Sequence, residues 1–113
     1  MRWIGLVGVA GCADIDPRAI EVAKLDGDAD AGALLYDADC AECHAEDGAG
    51  TPRAKHGDTP VNLATASHWY SAERFLTMII DGVEGTTMEP WGPVYDDQQL
   101  ADVYAYILTL KGT

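Results

Sequence analysis

The sequence predicts an all-α domain. Three observations carry that expectation: two segments with clear helical periodicity, no stretch that alternates long enough for a strand, and two long loops rich in Gly and Pro. At 113 residues the chain has room for one small domain. In chain order, Ala31 to Asp39 is rich in Ala and Leu and free of β-branched residues, which predicts a first helix. From Ala45 to about Ser67 no period is sustained, and Gly48, Gly50, Pro52, Gly57 and Pro60 mark turns, so a loop is expected. A loop of that length is unusual in a compact domain unless something other than secondary structure organises it. A second helix is expected from Ser71, its N-cap, to about Gly82, because Phe75, Leu76, Ile79, Ile80 and Val83 share a face. GVEGTTMEPWGP reads as loop. The last helix carries Leu100, Val103, Tyr104, Ile107 and Leu108 at helical spacing, with Asp96 and Gln99 set for a capping box.

The first residues have another texture. Arg2, an apolar run from Trp3 to Ala10 and then Gly11-Cys12 are the parts of a secretory signal, too short to cross a bilayer. Val9-Ala10-Gly11-Cys12 also resembles a bacterial lipobox, in which cleavage precedes a cysteine that receives lipid. The expected organisation is therefore a signal at 1–11, an acidic tether at 12–29 anchored through Cys12 with a short helix around Ala19 to Lys24, and a domain at 30–113. Lipidation would give a use to the third cysteine of an exported chain.

The motif with chemistry is CAECH, residues 40–44. A redox dithiol would be expected after a strand in a βαβ setting, and no strand pattern precedes this one. A structural zinc site needs four ligands, and no second cysteine pair exists. Covalent haem accounts for every position. Cys40 and Cys43 can add to the two vinyl groups, and the adjacent His44 can turn its ring to the iron from the same side. A covalent cofactor would also act as a staple for a domain too small to stabilise itself by packing.

A sixth iron ligand must then come from further along. Met78 lies inside the 71–82 helix beside Ile79 and Ile80 and reads as a core side chain. Met88, in the Gly- and Pro-rich loop before the last helix, has no packing reason to be there and is the expected ligand. His56, His68, Met78 and an open position are the alternatives.

These features together resemble the small monohaem c-type cytochromes with His/Met ligation: Gly32-x-x-Leu35-Tyr36, Cys40-x-x-Cys43-His44, Glu46-Asp47-Gly48-x-Gly50, Met88 near Pro90 and Trp91, and a last helix with Tyr106 and Ile107. The resemblance runs from about Asp30 to Leu110. It implies a cytochrome c-like fold with three main helices and long loops around one covalent haem c. It further implies close approach of the first and last helices at Gly32, with Tyr36 packed on the 97–110 helix. A proline carbonyl that orients the ligand histidine is implied too, best matched by Pro60. Trp69 or Trp91 could donate to a haem propionate. Glu89 between Met88 and Pro90 departs from the family's usual Met-Pro.

Function follows as an expectation. The chain reads as a one-electron carrier on the periplasmic side of a bacterial membrane, not an enzyme by itself, with redox proteins as partners. The rival readings are a haem enzyme or gas sensor with an open sixth position, and a haem-free dithiol or metal-binding lipoprotein. Nineteen acidic residues against seven basic ones give a net charge of −12, which argues against nucleic acid and fits a solubilising surface or steering toward a partner with a basic docking surface. With both axial positions filled, no small-molecule substrate is expected.

Overall fold

The computed structural model describes residues 14–50, 62–86 and 88–111. Cys12, His56 and Pro60 lie outside the described residues. Among those described, six helices and no strands are present: α1 (Pro17–Val22), α2 (Ala29–Asp39), α3 (Ala41–His44), α4 (Leu63–Trp69), α5 (Ala72–Asp81) and α6 (Asp97–Ile107). The three expected main helices are α2, α5 and α6.

α2 and α6 form the central crossing. The two can touch because position 32 has no side chain: a Cβ on Gly32 would stand 1.9 Å from the Asp102 carbonyl oxygen. One turn further along, the Tyr36 ring packs on Tyr106, with centroids 5.3 Å apart. The α6 carboxylate of Asp102 is buried, and it accepts from the Asp28 N–H at 2.8 Å and from Gln98 Nε2 at 2.9 Å. Asp28 in turn caps α2, so the crossing and the helix start are tied together.

α6 begins with the complete capping box that its sequence predicts. Asp96 accepts from the Gln99 N–H at 2.8 Å, and the Gln99 side chain accepts from the Asp96 N–H at 2.9 Å. Asp96→Ala should therefore lower stability by about 1 kcal/mol, read from the urea midpoint at unchanged slope.

Two segments differ from the sequence expectation. α4 forms within what reads as loop, with Asn62 accepting from the Thr65 N–H. Its seven residues make under two turns, too few to show a period, and burial of Leu63, Ala64 and Ala66 fixes it. α1 overlaps the short helix expected around Ala19 to Lys24, although the sequence places that helix within a tether. Asp16 caps it, Pro17 opens it, and Ala19 and Val22 are buried in the core, so the folded body extends N-terminal of residue 30.

α1 packs on α5, and the Asp16 N–H donates to Thr77 Oγ1 at 3.0 Å. Partial burial, followed by hydrogen bonding and repulsion from Asp16, raises the Asp81 carboxyl pKa above its ordinary value. The folded chain thus holds this proton more tightly than the unfolded chain. That contribution is fully present below the ordinary carboxylate pKa and is lost as pH rises through the raised value. Asp81→Asn should raise the melting temperature modestly at neutral pH, because the group is largely exposed. The gain over the unsubstituted chain should close below about pH 4 in a melting series across pH.

Candidate functional site

The CAECH segment is built at the junction of α2 and α3. Cys40 ends α2 through its N–H to the Tyr36 carbonyl, 2.8 Å, and its own carbonyl accepts from Cys43 (3.2 Å) and His44 (2.9 Å). That single turn puts Cys40, Cys43 and His44 at i, i+3 and i+4, neighbours on one helical face. Ala45 ends the turn with φ 67° and ψ 166°, a conformation that costs a non-glycine residue about 1–3 kcal/mol. It is held there by the Tyr36 hydroxyl, which donates to the Ala45 carbonyl, and by the Gly50 N–H on the His44 carbonyl at 2.9 Å. The residue after His44 is therefore strained and fixed from two sides.

The loop with Met88 is laid against the end of α5. Val83 N–H meets the Met88 carbonyl at 3.2 Å, Trp91 N–H the Ile79 carbonyl at 2.9 Å, and Gly92 N–H the Ile80 carbonyl at 3.0 Å. Gly82, with φ +75°, lets the Met88 carbonyl approach: a Cβ there would stand 2.8 Å from it. Met88 is half-buried and packs against the core, not exposed as its loop position implies.

The two regions meet at one cavity. Cys40, His44, Leu63, Ile79, Met88, Trp91, Tyr95, Val103 and Ile107 line it, so His44 and Met88 share a wall despite their distance in sequence. Cys43 belongs to the same helical turn without being one of the lining side chains. Met78 is half-buried against the core outside the cavity, and His68 is exposed on α4. Trp91 stacks on Tyr95 at the wall, whereas Trp69 is 80% exposed.

Tyr95 is the lining residue that sequence reasoning missed. It falls between loop and helix, with no periodicity to betray its burial. Its hydroxyl donates to the Asp39 carboxylate, next to Cys40, and burial followed by that bond raises the phenol pKa. The thiol of Cys40 is pushed up to about 12 by burial, then by Asp39 and Cys43. A thiol buried in this way is a poor nucleophile. Among the described residues, no three His, Cys, Asp or Glu side chains gather as a metal site.

No described helix is long and apolar enough to cross a membrane. No curated protein matches the chain. Among solved structures, the KustC0563 c-type cytochrome is similar, with a TM-score of 0.59 and 21% identity over 79% of this chain and 100% of that one. At that identity the likeness shows the fold. The family described as cytochrome C oxidase, cbb3-type, subunit III matches residues 27–107, most of the chain. The chain belongs to that family of c-type cytochromes, whose prosthetic group is haem c and whose chemistry is electron transfer.

Proposed function

We propose that the chain is a one-electron carrier with a single haem c, held by thioethers to Cys40 and Cys43 and ligated by His44 and Met88. The observation that supports it most is the shared cavity: a histidine from the CAECH turn and a methionine from a distant loop line one apolar-walled space. The residues fit the group, since Leu63, Ile79, Val103 and Ile107 offer apolar contact while thiol, imidazole and thioether supply the bonds. Bound there, haem supplies an iron that gains and loses one electron.

The chain's own residues set the conditions. His44 gives an imidazole whose backbone is fixed by the strained Ala45 turn. Met88 gives a soft thioether, which favours the reduced iron and raises the potential relative to a second histidine. The apolar wall keeps water away and lowers the local dielectric, acting in the same direction. The Pro60 carbonyl is the proposed acceptor for the second ring N–H of His44.

The proposal extends to the cell. Residues 1–11 serve as a signal and Cys12 as a lipid anchor on a short acidic lead-in, followed by the cytochrome domain, whose folded body begins with α1, exported to the periplasmic side. Redox proteins with a basic docking face are its partners, since the chain's −12 charge steers such surfaces toward it. Replacing Cys12 by Ser should release the protein from the membrane fraction.

Carbon monoxide tests the iron. The ferrous protein should bind it slowly or not at all at neutral pH, and Met88→Ala should bind it rapidly, with the weak near-infrared band of thioether-bound ferric iron gone. Rapid binding by the unsubstituted protein would instead mean an open iron position, as in a haem enzyme or gas sensor.

A further inference from the structure

Arg18 lies on α1, outside the family-matched span 27–107, yet its side chain reaches the site. Its Nη1 donates to the Gly92 carbonyl and its Nη2 to the Tyr95 carbonyl, both at 2.6 Å. Its Nε donates to the Asp97 carboxylate at 2.7 Å. One guanidinium thus grips both ends of the Gly92–Tyr95 turn and the first residue of α6. These bonds join positions 74 to 79 apart in sequence.

The gripped turn begins four residues after Met88. Upstream, the Trp91 and Gly92 N–H groups are bonded to the end of α5, while Tyr95 is anchored to Asp39 beside Cys40. The Met88 end of the segment is therefore held by the end of α5 and the residues after it, through Val83 and Thr86, and its Gly92–Tyr95 end by α5 through N–H groups and by Arg18 through carbonyls. The fit around Arg18 leaves no slack: a Cβ on Gly92 would stand 2.8 Å from Ile80 and 3.0 Å from Arg18 Nη1. The base of the grip is firm as well, because Ala19 and Val22, one and four residues after Arg18 on the helix, are buried.

We propose that Arg18 is the positioning residue for the sixth iron ligand: α1, through its guanidinium fork, locks the Met88–Tyr95 segment in the conformation that presents the Met88 sulfur to the cavity. This inference rests on the reading of Met88 as the axial ligand. The two carbonyl bonds carry the effect, since they act on the segment itself. The Asp97 arm is exposed and adds little. Lysine cannot replace arginine here, because one ammonium cannot span two carbonyls and a carboxylate in a planar fork.

Imidazole provides the test, applied to the full haem-loaded chain. It binds ferric iron from which the methionine has come away, so its apparent affinity scales with the population of the released segment. Loss of one charge-assisted bond corresponds to about a tenfold change in such a population. Arg18→Gln and Arg18→Lys should each bind imidazole about tenfold or more tightly than the unsubstituted chain. Both should still show the near-infrared thioether band without imidazole, and Asp97→Asn should match the unsubstituted affinity. A purely structural role for Arg18 would lower the melting temperature and leave imidazole affinity unchanged, and that result overturns the proposal. Should Arg18→Gln not accumulate as holoprotein, Arg18→Lys, which keeps the charge near Asp97, decides alone. Absence of the thioether band from the unsubstituted protein, or its survival in Met88→Ala, would overturn the ligand reading itself and Arg18's role with it. A normal band with unchanged imidazole affinity overturns the Arg18 role alone.

Discussion

Gly32→Val is expected to leave no folded holoprotein. A Cβ at this position would stand 1.9 Å from the Asp102 carbonyl oxygen, 2.4 Å from its carbon and 2.9 Å from the Val103 nitrogen. All three are backbone atoms of α6, so no rotamer change relieves the clash. Ordinary van der Waals contact needs about 3.5–4 Å, so the helices would have to part by more than 1 Å. Parting them also pulls Tyr36 from Tyr106 and the Asp28 N–H from the Asp102 carboxylate. Overpacking a core commonly costs about 1–3 kcal/mol, and here lost contacts add to the strain, in a domain whose whole stability is of the order of 5–15 kcal/mol. Gly32→Ala should show the same defect in milder form, with a strongly lowered urea midpoint. Soret absorbance of the purified protein reads both. Recovery of Gly32→Val with an unchanged midpoint would mean that the α2–α6 crossing is not the element holding the domain together.

Why this glycine could be singled out from sequence, while Arg18 could not, is a matter of range. Gly32 and Tyr36 are singled out by the resemblance to small c-type cytochromes, and the Gly32-x-x-Leu35-Tyr36 pattern that carries it spans only five residues of one helix. The CAECH turn is equally local, and α5 and α6 announce themselves by period and cap. Arg18, Tyr95 and α4 have no such signature. Arg18 and Tyr95 acquire their roles through partners 56 to 79 positions away, and a lone Arg in an acidic segment reads as solvated. α4 is too short for a period, and its Asn62 cap is indistinguishable in sequence from a turn residue. Met88 stands between these cases. Its loop context was legible, but its half-burial depends on Gly82 admitting the Met88 carbonyl, a contact no local pattern encodes.

Replacing Cys40 and Cys43 together by serine should have an effect as large as Gly32→Val, by a different route. Serine is close to cysteine in size, so the variant removes the thioether chemistry without creating a steric defect. On a denaturing gel the double variant should show no haem stain, whereas either single variant keeps one thiol and should retain some. The structural consequence follows from the cavity. Its walls come from the α2–α3 junction, α4, α5, the Met88–Tyr95 segment and α6, so whatever fills it bridges elements that otherwise touch little. Burying several apolar side chains there contributes about 1.5–3 kcal/mol each, which together approach the stability of the whole domain. Without a retained haem, α4 should loosen first, because Leu63, its one large buried side chain, lies on that wall. The α2–α6 crossing at Gly32 does not depend on the cavity and should persist longest. Far-UV circular dichroism should therefore show reduced helicity, and urea unfolding should lose its sharp transition. Cooperative unfolding of the double variant at the unsubstituted midpoint would contradict this, and would mean that protein packing alone, not the covalent cofactor, holds the domain.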